Sequence, residues 1–403
     1  MRCLIANLLL TLTSLAANAQ TTTLPTSESA QIAACIATAH AKAATTVAEL
    51  QPPSGFASPL KRLVADVRSG QLDEALTIAN KLVAENPNDA ILQAALGLVD
   101  YQRGKMADSV AAFNHAIQLD PCNARAHYFA WRFASLGGQP AAGLQQLELA
   151  HQLAPHDPIV QRTWAAVQLA QKLENSPNPP TVTTLNPPRE GFFAKSVNCD
   201  GLSIQSSAAV DNTALILACG KVRTMLAFLP DTRRAMISHG SELHILGDHE
   251  GTTDLPENRH FKTEPYIDAE GKTTNMDQRT RGVGGLLASC GEENLLGLPN
   301  DRYGDGSDTC IHEFSHNIME NGFTQKQRNQ IEKQYRDSLS KGLWKGAYAA
   351  VNVKEYWAEL SIWYFGSHGN MVPGSLTTPG AEALHAYDPG AFALVDHLYS
   401  GGK

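Results

Sequence analysis

The sequence has no block of lysine or arginine residues and no uninterrupted apolar run long enough to cross a membrane. Its 32 basic residues are outnumbered by 40 acidic ones, which gives a net charge of -8. Nucleic-acid backbones and anionic membrane surfaces attract clustered positive charge, so we expect neither as a partner. The composition also excludes a collagenous or disordered chain, because 43% of the residues are hydrophobic. For a chain of 403 residues we expect two or three globular domains.

The first 19 residues have the pattern of a cleaved secretory signal. Arg2 precedes an apolar stretch from Leu4 to Leu15, and Ala17-Asn18-Ala19 supplies the small residues that a signal peptidase requires. A membrane anchor needs about 20 apolar residues, whereas this stretch is shorter and is interrupted by Asn7. We therefore predict cleavage after Ala19 and a secreted or periplasmic protein without a membrane span.

The cysteines that remain after the signal are Cys35, Cys122, Cys199, Cys219, Cys290 and Cys310. An even number in an oxidising compartment permits disulfides, although sequence alone does not choose their connectivity. We predict one pair between Cys199 and Cys219 and another between Cys290 and Cys310. For the other two cysteines, buried free thiols are as good an interpretation as a disulfide.

Glycine and proline recur with a period of 34 between residues 54 and 175. The residues that share this spacing are Gly70, Gly104, Gly138, Pro87, Pro121 and Pro155. The pattern resembles the tetratricopeptide repeat family, in which glycine lies in the turn between two helices and proline follows the second. The second repeat fits best, with Gly97 and Ala116 where helices must approach closely. The resemblance implies an all-α stack that holds a protein partner in its groove or serves as a spacer.

The sequence also predicts the conformation of the two segments that flank the repeats. Residues 20–53 are expected to contain an N-terminal helix, with Ile32, Ile36 and Ala39 on one stripe, that packs on the first repeat. Residues 176–189 are rich in proline, which cannot continue a helix, so we interpret them as an extended linker.

Residues 190–403 are predicted to form a second domain of α+β class. Strand-like runs come first, at Ala214–Ala218, Val222–Phe228 and Leu243–Leu246, and helical patterns follow after residue 306. Strands that precede helices along the chain are typical of α+β folds.

The motif HEFSH places His312, Glu313 and His316 in the first of those helices. Residues four positions apart lie on one face of a helix, so both imidazoles can bind one zinc ion. Glu313 then stands beside the open coordination position. The motif therefore predicts a catalytic zinc site.

The residues around this motif are typical of helix ends. Ser307 or Asp308 can cap the start of the helix, and Gly322 can end it in a left-handed conformation. Asp301, Asp305 and Asp308 lack the order of a calcium-binding loop, so a turn that ends in a cap is the plainer interpretation.

A catalytic zinc ion needs a third protein ligand, and the sequence offers two candidates. Met319 and Gly322 exclude the metzincin pattern, which requires glycine and histidine at those positions. Glu332 is one candidate, but its surroundings, NQIEKQYR, lack the thermolysin arrangement and suit a solvated helix face. The better candidate is Glu355.

The segment YAAVNVKEYWAEL places Tyr348 seven residues before Glu355 and Glu359 four residues after it. Together with HEFSH, it resembles the catalytic segment of the anthrax lethal factor family of gluzincins and of the related secreted Pro-Pro endopeptidases. Residues 281–366 also look like an uncharacterised group of secreted zincins. The resemblance implies a gluzincin fold, a zinc ion and peptide hydrolysis, but no particular substrate.

By this resemblance, His312, His316 and Glu355 are zinc ligands, Glu313 is the general base and Tyr348 is a hydroxyl donor. The chemistry of these residue types agrees with the assignment. Zinc lowers the pKa of bound water from about 16 to about 7, and a nearby carboxylate can take up the remaining proton. A phenol aimed at the developing oxyanion adds stabilisation that is largest in the transition state.

Other interpretations of the same residues remain. Glu359, one helical turn after Glu355, is predicted to orient a ligand or Tyr348. Asn352 with Glu355 also fits a helix N-terminal capping box. Tyr348 alone fits an ordinary half-buried aromatic residue.

We therefore predict a secreted zinc metallopeptidase whose repeats recruit a protein substrate or partner. One alternative is a secreted interaction protein with a structural or inactive zinc site, although Glu313 argues against it. Another is a zinc hydrolase that acts on a non-peptide bond. A second metal site at His239, His244 and His249 is disfavoured because their spacing fits no ligand signature.

Overall fold

A computed structural model describes residues 26–41, 57–303, 306–367, 369 and 379–402. The chain divides into two compact units, residues 1–165 and 166–403. A helical N-terminal region precedes a region that contains both helices and a five-stranded sheet, as the predicted fold class requires. None of the helices in these described ranges is both long enough and apolar enough to span a membrane. The predicted signal segment lies outside the described residues.

Paired helices form the first unit. They are α1 (Thr26–Ala41), α2 (Ala57–Arg68), α3 (Leu72–Glu85), α4 (Ala90–Gln102), α5 (Met106–Leu119), α6 (Ala124–Leu136), α7 (Pro140–Leu153) and α8 (Pro158–Glu174). The division between the units falls inside α8. Helices α2, α4, α6 and α8 begin 33 or 34 residues apart, and α4 packs against α5 as α6 packs against α7. The helices therefore follow the period predicted from the sequence.

The recurring glycines lie in the turns within the helix pairs. Gly70, Gly104 and Gly138 have φ angles of 75°, 70° and 75°, which residues with a Cβ atom rarely adopt. Gly97 has a different role, because a Cβ atom there would lie 2.9 Å from the ring of Phe113. The close approach predicted for the second repeat is therefore present.

The N-terminal helix α1 packs against α7, in the third helix pair, whereas the sequence led us to expect packing on the first. A disulfide between Cys35 of α1 and Cys122 fixes this position, with Cα atoms 6.2 Å apart. The interpretation of these two cysteines as free thiols is therefore wrong. In the stripe predicted for this helix, Ile32 is buried while Ile36 is half-buried. Such a short apolar stripe fits more than one partner helix, so it did not identify the correct one.

The second unit contains a mixed sheet with the strand order β1-β2-β3-β4-β7. Its strands are β1 (Val182–Arg189), β2 (Phe193–Cys199), β3 (Leu202–Ser206), β4 (Glu242–Leu246) and β7 (Leu287–Gly291). The pairs β1–β2 and β2–β3 are antiparallel, whereas β3–β4 and β4–β7 are parallel. Strands β5 (Tyr266–Ile267) and β6 (Thr273–Thr274) form a separate hairpin.

The second unit also contains helices, which lie between and after these strands in the sequence. They are α9 (Asn212–Met225), α10 (Pro230–His239), α11 (Met276–Arg279), α12 (Glu292–Leu296), α13 (Thr309–Asn317), α14 (Gln325–Ser340), α15 (Val353–Tyr364), α16 (Ala381–Tyr387) and α17 (Pro389–Tyr399). Helix α13 contacts both β7 and α15. This packing brings together two helices that are about forty residues apart along the chain.

Two of the predicted strands are wrong. Ala214–Ala218 and most of Val222–Phe228 lie in α9, which begins where Asp211 accepts a hydrogen bond from the Thr213 N–H group. All residues from Ala214 to Cys219 are buried, and a continuous apolar run does not distinguish a buried helix from a buried strand. Leu243–Leu246 lies in β4, as predicted.

The second half of the predicted linker at residues 176–189 is strand β1. Pro187 and Pro188 fit there because β1 is an edge strand whose register with β2 is irregular between Thr184 and Arg189. The segment is extended, as predicted, but the sheet begins at Val182, before the predicted start of the second domain.

Both predicted disulfides are present in the second unit. The bond between Cys199 and Cys219 joins β2 to α9, with Cα atoms 5.5 Å apart. The bond between Cys290 and Cys310 joins β7 to α13, with Cα atoms 5.1 Å apart. The second bond therefore attaches the HEFSH helix to the edge of the sheet.

His244 of β4 is fully buried between two carboxylates. Its Nε2 atom lies 2.8 Å from Glu242 Oε2, and its Nδ1 atom lies 2.6 Å from Glu257 Oε1. Arg189 and Gln205 donate further hydrogen bonds to Glu242. This network ties the sheet to the segment that carries Glu257.

We expect this network to make the protein less stable as the pH rises. Burial lowers the pKa of His244, but hydrogen bonds to Glu242 and Glu257 outweigh it and raise the pKa above 6.5. The protonated imidazole then stabilises the fold fully below pH 6.5, and its contribution is lost as the pH rises through the folded-state pKa. Chemical denaturation of the wild type and of His244→Gln between about pH 5.5 and 9 measures this dependence. An unchanged slope in the variant would contradict the prediction.

Candidate metal centre

Helix α13 carries the HEFSH motif and begins as the sequence predicts. The Asp308 side chain accepts a hydrogen bond of 3.0 Å from the Ile311 N–H group and so caps the helix. Asp301 accepts hydrogen bonds from Asn294 and from the Tyr303 N–H group, so it forms a turn rather than an ion site. Asp305 lies outside the described residues.

The end of this helix differs from the prediction. A π-helical turn, Ile318–Gly322, follows α13, and Gly322 does not have a positive φ angle. A Cβ atom at Gly322 would lie 2.5 Å from Thr232 Cγ2. Glycine is therefore required for close packing against α10 and not for a left-handed helix end.

The structure brings His312, His316 and Glu355 together. The Nε2 atoms of His312 and His316 lie 3.0 and 3.5 Å from Glu355 Oε2. One potential ligand atom from each residue lies within 4.8 Å of the others. Ligand atoms around a tetrahedral zinc ion are about 3.3 Å apart. These three residues, called the metal triad below, could therefore hold a metal ion.

The third member of the triad is positioned by the first turn of α15. The Asn352 side chain accepts hydrogen bonds from the N–H groups of Lys354 and Glu355. Asn352 is therefore a helix cap, and the same first turn directs the Glu355 carboxylate towards α13. The capping interpretation and the ligand interpretation of this segment are compatible.

Glu359 contacts His312 at Nδ1, the ring nitrogen that does not face Glu355. Its Oε1 atom lies 3.2 Å from His312 Nδ1, and the residue is buried. A carboxylate at Nδ1 holds a proton on that nitrogen, so a metal ion would bind at Nε2 in place of the proton that Nε2 shares with Glu355. Glu359 therefore contacts a member of the triad, which is one of the two arrangements that the sequence predicted.

The pKa values of the Glu355 and Glu313 carboxylates are shifted in opposite directions. Burial alone would raise the pKa of Glu355, but hydrogen bonds from His312 and His316 outweigh it and hold that pKa well below 4.5. For Glu313, burial is the largest effect, and its pKa is raised. Glu355 is thus suited to bind a cation, whereas Glu313 is the stronger proton acceptor.

Tyr348 lies beside the triad, in the short 3-10 turn Tyr348–Ala350. Its ring centroid is 6.1 Å from that of His312. Burial, with the negative charge of Glu355, raises the pKa of Tyr348. The hydroxyl therefore keeps its proton at neutral pH and can act as a hydrogen-bond donor.

A cleft of about 250 Å³ opens onto the triad, Glu313 and Tyr348. One wall is the segment 282–285, in which Val283 pairs with Ser289 of β7 in a single antiparallel bridge. Cβ atoms at Gly282 and Gly284 would lie 2.8 Å from Glu313 and 2.6 Å from His316. The glycines therefore allow the backbone of this wall to lie directly on α13.

The cleft is also lined by residues that the sequence does not indicate as site residues. Tyr266 and Asp268 come from the β5–β6 hairpin, and Arg279 ends α11. Arg279 Nε donates a hydrogen bond of 3.1 Å to Asp268 Oδ2, and the guanidinium carbon is 6.0 Å from the ring centroid of Tyr348. No motif spacing links these residues to the triad, because tertiary packing alone places them there.

The alternative metal ligands do not join this site. Glu332 is exposed on α14 and pairs with Arg336, so its rejection as a ligand is supported. In the part of the chain that the structure describes, His239, His244 and His249 form no metal-binding group.

Comparison with protein-family models and with curated proteins finds no match for this chain. The arrangement of the site therefore carries the functional argument.

Proposed function

We propose that this protein is a secreted zinc metallopeptidase of gluzincin type. The observation that carries the proposal is the convergence of the metal triad, Glu313 and Tyr348 on one cleft. Two imidazole nitrogens and one carboxylate oxygen form a donor set that zinc prefers in catalytic sites, where a fourth position stays open. Three disulfides support an oxidising compartment.

Each of these residues would have a separate role in hydrolysis. A zinc ion held by the triad would lower the pKa of a water molecule to about 7. Glu313 accepts the proton of the attacking water and passes it to the leaving amine. Tyr348 donates a hydrogen bond to the carbonyl oxygen of the scissile bond, whose negative charge grows in the transition state. Glu359 holds the imidazole of His312 in the required orientation.

The wall at residues 282–285 supports a peptide as the substrate. Val283 uses its N–H and C=O groups to pair with Ser289, whereas no described residue forms a backbone hydrogen bond with Gly284 or Gly285. A short unpaired edge at Gly284 can pair with an extended peptide, whereas Gly285 has a φ angle of 107° and is not in a strand conformation. An extended chain bound there lies directly beside the triad. A non-peptide substrate would have no use for this edge.

The first unit supports a role in protein recognition. We propose that its helix pairs are tetratricopeptide-like repeats that recruit a protein substrate or partner. The period of 33 or 34 residues, the left-handed glycines in the turns and the close approach at Gly97 support this assignment. Stacks of such repeats commonly present an extended binding surface.

Metal removal tests the proposed activity. Protein expressed without residues 1–19 under oxidising conditions is expected to contain about one zinc ion per chain. It should cleave members of a proteome-derived peptide library, lose cleavage with a zinc chelator, and regain it when zinc is restored. Zinc content by atomic spectroscopy and cleavage by mass spectrometry measure the two properties. Metal binding without cleavage of any peptide would contradict the peptidase assignment.

A further inference from the structure

Arg279 stands out among the positively charged residues of the cleft. Two lysine or arginine side chains line it, and Lys354 is already paired with Glu320. Arg279 is fixed through one nitrogen, because its Nε–H group donates to Asp268. The Asp268 carboxylate is itself held by the backbone N–H groups of Glu270 and Lys272. The guanidinium is therefore positioned in advance of any ligand.

Arg279 has more N–H donors than its contacts with Asp268 and Tyr348 use, so several remain for a ligand. A guanidinium group has five N–H donors in a planar fork, and Asp268 is the one carboxylate paired with Arg279 among the described residues. About a third of the Arg279 side chain is exposed, whereas Asp268 is almost completely buried. The ion pair therefore orients the arginine at the surface of the cleft, where its guanidinium also interacts with the Tyr348 side chain.

We propose that Arg279 determines substrate specificity by binding the carboxylate of an aspartate or glutamate side chain near the scissile bond. This inference rests on the proposed peptidase activity. Arg279 lies close to Tyr348, the residue assigned to the scissile carbonyl, so the acidic residue lies within a few residues of the bond that is cleaved.

The geometry favours a carboxylate over a main-chain carbonyl. Two terminal nitrogens match the two oxygens of a carboxylate in a bidentate pair, which is stronger and more directional than a single hydrogen bond. Arg279 lines the same cleft as the backbone edge at Gly284. A side chain that projects from a peptide bound at that edge can reach it.

Matched peptides test the proposal. Each pair differs only in Glu or Gln at one position within three residues of the cleavage site, so size is constant and charge changes. Wild-type protein is expected to cleave the preferred Glu peptide with a kcat/KM about 10- to 100-fold higher than its Gln partner, mainly through KM. In Arg279→Gln the ratio should fall to within about twofold of one. Arg336→Gln, on the exposed face of α14, is the matched control and should keep the wild-type ratio.

Three results would overturn the proposal. A wild-type ratio near one at every position would show that no acidic residue is recognised. A ratio that survives in Arg279→Gln would assign recognition to another residue. An equal loss for both peptides would mean that Arg279 acts on all substrates alike, through the main chain or through Tyr348. Arg279→Lys retains a positive charge to pair with Asp268 but lacks the planar guanidinium group. It should therefore fold normally and still lose most of the preference for Glu over Gln peptides.

A binding measurement separates this proposal from the peptidase assignment. The zinc-loaded variant Glu313→Gln, with and without Arg279→Gln, is titrated with fluorescent forms of the same peptides. Tighter binding of the Glu peptide that disappears with Arg279→Gln supports the inference. It does so even if the wild type cleaves no peptide, and in that case only the proposed activity fails. Equal affinities for the Glu and Gln peptides would overturn it.

Discussion

Replacement of Glu313 by glutamine is expected to abolish peptide cleavage and to leave the metal content unchanged. Glutamine has almost the same size and shape as glutamate but cannot accept a proton at neutral pH. Glu313 is not a member of the metal triad, so the donor set is preserved. General-base catalysis contributes about 100- to 10,000-fold to a rate, and we expect kcat to fall by about 1,000-fold.

Burial is one reason to expect a substantial effect, near the middle of that range on a logarithmic scale. Glu313 lines the cleft, and burial raises its pKa above 4.5. A base whose pKa is closer to neutral accepts a proton more readily. A Cβ atom at Gly282 would lie 2.8 Å from Glu313, so the Gly282 backbone packs on this side chain.

The measurement compares zinc content with steady-state kinetics on one cleaved peptide. Glu332→Gln is the matched control, because the same chemical change is made at an exposed glutamate on α14. Full activity in Glu313→Gln would refute its role as the base. Loss of zinc together with activity would show instead that Glu313 supports the metal site.

The parts of this molecule that could be predicted are those with local signals. Gly70, Gly104 and Gly138 were informative because a left-handed turn excludes most other residues. His312 and His316 were informative because a four-residue interval defines a helix face. Asp308 caps α13 as expected for an aspartate that precedes an apolar helix.

The parts that could not be predicted depend on tertiary contacts. Residues 212–225 form a helix buried on several sides, so hydrophobic periodicity did not distinguish it from strands. Asp268 and Arg279 meet because a two-stranded hairpin folds beside α11, and nothing in their spacing indicates a site. The partner of Cys35 is 87 residues away. Such contacts follow from the packed structure and not from local sequence.

Removal of the disulfide between Cys290 and Cys310 is expected to destabilise the fold and to weaken metal binding. The bond closes a loop of 20 residues, and a cross-link of that length stabilises a protein by about 3 kcal/mol through the entropy of the unfolded chain. Cys310 lies two residues before His312 and is buried against β7. Without the bond, the start of α13 has one less attachment to the sheet, so both histidines lose orientation.

The bond between Cys199 and Cys219 is a matched control. It also spans 20 residues, so its loss has the same expected entropic cost, but it joins β2 to α9 and does not contact the triad. Alanine pairs at the two bridges are therefore expected to lower the free energy of unfolding similarly, by about 3 kcal/mol in chelator. Zinc affinity, measured by competition with a chromophoric chelator, should fall about tenfold only for the Cys290 and Cys310 pair, because metal affinity depends on how firmly its ligands are oriented. Equal zinc affinities in the two variants would show that the bridge at α13 stabilises the fold without organising the metal centre.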